Sequence, residues 1–179
     1  MVTLYSMLWV SAAFFAILGL IRGLRREIVV LAGVVLVSFV LYQFDALLRG
    51  LFLASIPRDQ ACLVQLIIFG TIMYFAYQTR SFNTAAPNER TPNTNRTQDA
   101  ILGGLLGGVN GYMIWGLVWY LLDINDYPFA PLLSAPAPNS ISAQAINSIP
   151  LVAMGSIVGG GQGMIVLVVL MFALVLFMI

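Results

Sequence analysis

The sequence predicts an all-α, multi-pass membrane protein with four to five transmembrane helices and its N-terminus outside. Of its 179 residues, 60% are hydrophobic and 8% are charged, whereas an average soluble domain carries about 25% charged residues. Several apolar segments reach the length of about 20 residues that a helix needs to cross the hydrocarbon core. The arginines are concentrated in two of the connections between these segments, which indicates the orientation.

Four apolar segments account for residues 1–122, which we predict to be a four-helix membrane core. They lie at residues 2–21, 28–44, 61–77 and 100–122. The first segment has no basic n-region and no cleavage site before a polar domain, so we interpret it as a retained helix and not as a signal peptide. A polar stretch at residues 78–99, rich in Asn, Thr and Arg, predicts an irregular loop before the fourth helix.

Two further regions complete the chain. Residues 123–150 contain five prolines and no basic residue and are predicted to be an outer loop. In this loop Ile141, Ala145 and Ile149 have the spacing of a short interfacial helix. Residues 151–179 carry no charge and contain three consecutive glycines at 159–161. Because glycine is unfavourable in helix interiors, we predict a break or re-entrant piece, then a helix from about Met164 that takes in part of the glycine stretch.

The distribution of arginine predicts the orientation. Three arginines lie between the first and second segments and three between the third and fourth, whereas only two lie between the second and third. Because cytoplasmic loops carry an excess of Lys and Arg, an N-terminus outside puts six arginines inside and two outside. The proline-rich loop then lies on the outer face.

The composition excludes several kinds of chemistry. The chain has no His and no Lys, and Cys62 is its one cysteine, so it offers no imidazole as base or metal ligand and no pair of thiols. A net charge of +1 gives no reason to expect a nucleic-acid partner. All seven acids lie near helix ends or in loops, which disfavours a proton pump. We therefore predict no catalytic residue, metal or cofactor, and partners limited to the bilayer and other membrane proteins.

Glycines four residues apart predict the helix faces that pack most closely. Residues at this spacing share one helix face, and glycine there lets two backbones approach. The pattern occurs in the first, fourth and last apolar segments, at Gly19 and Gly23, at Gly103, Gly107 and Gly111, and at Gly155, Gly159 and Gly163. The partner helix could belong to this chain or to another.

Polar side chains inside or beside the apolar segments form a second group of candidates. Gln65, Asn110 and Gln162 either bond across helices or, for Gln65 and Asn110, hold a lipid or quinone headgroup. The cluster of Arg22, Arg26 and Glu27 predicts arginines anchored at lipid phosphates with one neutralised by Glu27, which suits the start of a helix. The alternative for this cluster is a docking or headgroup site.

Two stretches carry a family resemblance. The pattern G-x-x-R-G-x-x-R-E is met by Gly19, Arg22, Gly23, Arg26 and Glu27. A second pattern, D-R-x-L-G-x-x-x-G-x-x-R-G, is met at Asp99, Leu102, Gly103, Gly107 and Gly111, whereas Ala100 and Asn110 stand at its two arginine positions. Over about residues 1–125 the chain resembles the colicin V production (CvpA-like) family of bacterial inner-membrane proteins.

The resemblance implies four helices with a polar loop before the fourth, a location in the bacterial cytoplasmic membrane, and a role in colicin export or envelope function without an established biochemical activity. It favours a non-catalytic scaffold or a secretion-related factor. The glycine-rich faces and the uncharged C-terminal segment leave open a small accessory subunit of a larger photosynthetic or respiratory complex, and a passive pore is the third hypothesis.

Overall fold

The computed structural model describes residues 3–43, 50, 55–78, 93–130, 133–146, 149 and 161–178, and these residues contain helices and no strand. The helices are α1 (Leu4–Arg22), α2 (Leu24–Gln43), α3 (Arg58–Gln78), α4 (Asn93–Ile124), α5 (Ile141–Ala145) and α6 (Gly161–Met178). The predicted all-α class is confirmed.

Among the described residues, three helices are long and apolar enough to cross a membrane, and they are α1, α3 and the part of α4 from Arg96 onward. The sequence predicts four to five transmembrane helices. The helix α2 is 20 residues long and carries Arg25, Arg26 and Glu27 in its first turn, and α6 has a shorter apolar stretch at Ile165–Phe177. The orientation across the membrane stays a prediction.

Three helix boundaries differ from the pattern in the sequence. The helix α4 begins at Asn93, so the end of the stretch predicted as an irregular loop is helical, and residues 79–92 lie outside the described part. Asn and Thr are weak helix formers, but here they extend a long apolar helix. The helix α6 begins at Gly161, within the glycine stretch. The helix α5 lies in the stretch predicted to be a short interfacial helix and covers five residues, and its N-cap Ser140 accepts a bond from the Ala143 N–H at 3.1 Å.

The fold is organised around α4, which packs against α1, α2 and α3, while α6 packs against α2. The principal core cluster lies where α2, α3 and α4 meet. Its fully buried members recur every three or four residues along α2 and α4. They include Val30, Val34, Val37, Leu117 and Leu121. A second cluster, centred on Trp119 and Leu8, joins the end of α4 to the start of α1.

The closest helix contact is between α1 and α4, and it depends on glycine. A Cβ added to Gly103 would lie 2.5 Å from the Gly19 carbonyl oxygen, and one added to Gly107 would lie 3.0 Å from the Gly19 Cα. One turn further along, a Cβ on Gly111 would lie 2.5 Å from the Ser11 carbonyl oxygen. The partner of the α4 glycines is therefore α1 of the same chain.

Gly23 has a conformational role in addition to its packing role. Its φ is +82°, a conformation that residues with a Cβ rarely adopt, and it separates α1 from α2 with a single residue. Its N–H donates the last helical bond of α1, to the Gly19 carbonyl at 2.9 Å, and its positive φ then ends the helix. The next N–H, of Leu24, donates to Asp99 Oδ1 on α4 at 3.2 Å, so α4 also stabilises the start of α2.

The packing of Gly107 gives a direct test of this interface. Gly107→Ala should lower the free energy of unfolding by about 1–3 kcal/mol, because the added methyl overpacks a backbone contact. Gly70→Ala is the matched control, since Gly70 lies in α3 with open space around its Cβ position, and alanine there should be neutral or stabilising. Detergent-induced unfolding followed by circular dichroism measures both. Equal effects of the two substitutions would contradict the proposed contact.

Candidate functional site

A buried ion pair lies at the junction of α1 and α2. Glu27, in the first turn of α2, is 0% exposed. Arg22, the last residue of α1, places its Nε 3.3 Å from Glu27 Oε1. An isolated carboxylate is very unfavourable in an apolar interior, so it requires a charged partner and hydrogen-bond donors. The single-residue turn at Gly23 positions the arginine close enough to serve as that partner.

The second partner of Glu27 comes from α4. Asn110, itself 0% exposed, donates through Nδ2 to the Glu27 carboxylate oxygen Oε2 at 2.9 Å and to the Glu27 backbone carbonyl at 3.0 Å. One amide group therefore binds both the side chain and the backbone of the first turn of α2. This bond adds a second polar link between α2 and α4 to the one from the Leu24 N–H to Asp99 Oδ1.

Tyr77, at the end of α3, completes what we call the junction cluster: Arg22, Glu27, Tyr77 and Asn110. Arg22 Nη2 donates to the Tyr77 carbonyl at 3.2 Å, and the guanidinium carbon lies 4.4 Å from the centre of the Tyr77 ring. This cation–π geometry is favourable when it is shielded from water. The cluster thus joins α1, α2, α3 and α4. Within the described residues, the Tyr77 hydroxyl and Asn110 Oδ1 have no hydrogen-bond partner.

The arginines near the junction cluster are placed differently from one another. Arg22 is partly buried and paired, whereas Arg25 and Arg26 are exposed. Glu27 lies inside the helix packing and not at the surface that a contact with a lipid headgroup requires. Contact of Arg26 with a headgroup stays a prediction.

A second polar group lies at the opposite end of α3 and α4. Asn125 Nδ2 donates to Gln65 Oε1 at 2.8 Å and to the Leu121 carbonyl at 2.7 Å, and Gln65 and Asn125 are both buried. The amide of Gln65 is thus used in a bond between helices, as is that of Asn110.

A hydrogen bond between two aromatic side chains fixes the segment that follows α4. Trp119 Nε1 donates to the Tyr127 hydroxyl at 2.9 Å. Burial raises the pKa of Tyr127 to about 12, against the opposing effect of the Trp119 bond and with a further increase from the nearby Asp123 carboxylate. The phenol is therefore neutral at physiological pH. The ion pair of Arg58 and Asp126 nearby is exposed on both sides and contributes little to stability.

The remaining predicted site residues are not brought into either group. Gln162 is exposed in the first turn of α6, and Gly163 is partly buried there. Gly155 and Gly159 lie outside the described residues. Sequence reasoning missed Tyr77 and Asn125, because nothing in their local sequence indicates which helix they face.

The two polar groups are separated by the apolar core cluster of α2, α3 and α4. Their donors and acceptors are used mainly in bonds within the chain, and a group of three or more residues able to hold a metal does not occur among the described residues. This arrangement ties helices together.

A family model described as Colicin V production protein matches residues 7–151. The chain belongs to the colicin V production protein family. The match runs from the first turn of α1 through α5 and all of the proline-rich segment, further than the two motifs reach, and it ends before α6. Neither a search of curated proteins nor a search of solved structures gives a match.

Within this member of the colicin V production family, the two motifs meet in space. The first motif, from Gly19 to Glu27, forms the end of α1, the turn and the start of α2. The second, from Asp99 to Gly111, forms the face of α4 that packs on them. Asn110, at an arginine position of the second motif, is the residue that bonds Glu27.

The Asn110 bonds give the second prediction. Asn110→Leu should lower the free energy of unfolding by about 1–3 kcal/mol, because the buried Glu27 carboxylate loses a donor. Gln162→Leu is the control, since it also removes an amide from a helix but at an exposed position. Thermal unfolding in detergent, followed by circular dichroism, compares the two. A loss of similar size in both variants would show that Asn110 is not a partner of Glu27.

Proposed function

We propose that this member of the colicin V production family is a non-catalytic scaffold of the bacterial inner membrane that acts in colicin export or a related envelope function. Membership of the family supports a role in colicin export. The bonds of the junction cluster support a non-catalytic, structural way of acting. Most polar side chains of the described interior bind within the chain, and the exposed surfaces of the helices are largely apolar. Other membrane proteins are the partners that this kind of surface accepts.

The observation that carries the scaffold proposal is the exposure of α6. This helix packs against α2, and much of its remaining surface is open, with Val169 60%, Phe172 64% and Phe177 94% exposed. A helix that is apolar all round is typical of a membrane environment. Because α6 is attached to the rest of the described chain through α2, its open face is available to a partner.

A role as a small accessory subunit of a larger energy-converting complex is a second candidate, because the same open face of α6 would suit it. The glycines of α4 no longer support that role, since α1 covers Gly103, Gly107 and Gly111 within the chain. A passive pore has less support, because the apolar core separates the two polar groups of the described helices.

The scaffold proposal predicts an effect of α6 on secretion. In a bacterial strain that secretes colicin V and lacks its own member of the family, the wild-type chain should restore secreted colicin V. The triple variant Val169→Ala, Phe172→Ala and Phe177→Ala should restore several-fold less at an equal level of protein in the membrane, because apolar contact area at the partner surface is lost.

The control for this experiment is a triple alanine variant of exposed residues on α3, at Ile67, Tyr74 and Phe75, which should restore secretion fully. A photo-crosslinker at position 172 should also capture a membrane protein of the export system. Capture of respiratory or photosynthetic subunits, with no change in secretion, would favour the accessory-subunit role. No restoration by the wild-type chain would contradict the proposed process.

A further inference from the structure

Four buried polar atoms of the junction cluster have no hydrogen-bond partner within the described part of the chain. They are Arg22 Nε, Glu27 Oε1, the Tyr77 hydroxyl oxygen and Asn110 Oδ1. A buried polar atom that is left unpaired costs free energy, and the great majority of such atoms in folded proteins bind a protein group or an ordered water. Because these four atoms belong to residues that contact one another, they indicate a shared partner.

The ion pair leaves one donor and one acceptor unused. Arg22 Nε lies 3.3 Å from Glu27 Oε1, but the pair does not form a hydrogen bond, so the N–H is not aligned with this oxygen. Two atoms at this separation can both reach a third atom at an ordinary hydrogen-bond distance of about 2.9 Å. The charges therefore attract each other while the N–H and the oxygen stay open to a further partner.

The amide of Asn110 supplies a second unused acceptor. Its Nδ2 donates to Glu27 Oε2 at 2.9 Å and to the Glu27 backbone carbonyl at 3.0 Å, which uses both amide hydrogens. The amide oxygen Oδ1 and the carboxylate oxygen Oε1 are the remaining atoms of these two bonded groups. Both are acceptors and cannot bind each other, so each requires a donor from elsewhere.

Tyr77 supplies the second donor. Its ring lies under the Arg22 guanidinium, with the guanidinium carbon 4.4 Å from the ring centre, and its backbone carbonyl accepts a bond from Arg22 Nη2 at 3.2 Å. These two contacts fix Tyr77 against Arg22. The buried hydroxyl can donate one hydrogen bond. The cluster thus offers two donors, at Arg22 and Tyr77, and two acceptors, at Glu27 and Asn110.

Two donors and two acceptors match the bonding capacity of one water molecule. A buried water makes about three hydrogen bonds, with a range of two to four, to groups that are otherwise unpaired. A metal cation suits the site less well, because the Arg22 guanidinium already lies beside the Glu27 carboxylate. An anion is disfavoured by the same carboxylate. A small neutral molecule that both donates and accepts is the class of ligand that fits.

We propose that the junction cluster binds one buried water molecule. The water accepts hydrogen bonds from the Arg22 Nε–H and the Tyr77 hydroxyl, and it donates to Glu27 Oε1 and Asn110 Oδ1. It completes one hydrogen-bond network among α1, α2, α3 and α4. This site is independent of the proposed scaffold function, because it lies in the interior and does not use the open face of α6.

The sign of the effect of Tyr77→Phe on stability tests the proposal, measured by unfolding of the purified full chain in detergent. If the hydroxyl donates to the water, its removal should lower the equilibrium constant for folding by about fivefold. If the hydroxyl has no partner, its removal should leave the constant unchanged or raise it. Tyr74→Phe is the matched control, since Tyr74 also lies in α3 but is 60% exposed, and it should change the constant by less than about twofold.

Radiolytic labelling identifies the partner as water. Brief X-ray irradiation of the full chain in ¹⁸O-labelled water produces hydroxyl radicals from bound water, and mass spectrometry locates the oxidised side chains. We expect ¹⁸O to enter Tyr77 several-fold faster than Phe69, a buried ring of the apolar core cluster in the same helix. Asn110→Leu, which removes an acceptor, should slow the labelling of Tyr77 several-fold, whereas Gln162→Leu, at an exposed position, should not.

Three results would overturn the proposal. The first is a Tyr77→Phe variant as stable as the wild type or more stable. The second is labelling of Tyr77 no faster than that of Phe69, or labelling that Asn110→Leu leaves unchanged. The third is a wild-type chain that is stabilised by sodium chloride relative to choline chloride at equal ionic strength, with this difference lost in Tyr77→Phe, because the ligand would then be a sodium ion.

Discussion

The burial of the Glu27 carboxylate is the constraint on which the arrangement of the helices depends. A charge inside an apolar helix bundle is stable only with partners that replace water, and here they come from two other helices, α1 and α4. Arg22 reaches it because Gly23 turns the chain within one residue. Asn110 reaches it because glycines let α4 approach α1 at backbone contact distance. The glycine motif and the charged motif therefore contribute to the same structure, because the burial of Glu27 requires both.

This dependence accounts for the division of the molecule into a fixed interior and open outer faces. The junction cluster ties four helices at one end, Gln65 with Asn125 ties α3 to α4 at the other, and the apolar cluster between them closes the centre. Most polar side chains of these two groups bond within the chain. Among the described residues, the exposed face of α6 is apolar and lies outside this interior.

Much of the fold followed from the sequence, because apolar length and four-residue glycine spacing are local properties of the chain. The positions of α1, α3 and the apolar part of α4 could be predicted in this way, and so could the polar candidates Gln65 and Asn110. Their partners could not, since Tyr77 and Asn125 contact residues that are distant in the sequence. Glu27 follows two arginines at a helix start, which is also the pattern of a surface cluster, so its burial depends on α4 and is not visible locally. The start of α4 at Asn93 was missed because its first residues have weak helix propensity.

The most direct test of this account is a double-mutant cycle between Arg22 and Glu27, measured as the free energy of unfolding in detergent for Arg22→Gln, Glu27→Gln and the double variant. Removing one member of a buried ion pair should cost about 3 kcal/mol, because the other charge stays buried without its partner. The double variant should be no less stable than either single variant, which gives a coupling energy well above about 1 kcal/mol. Single effects that add to within about 0.5 kcal/mol would show that the two charges act independently and would contradict the account.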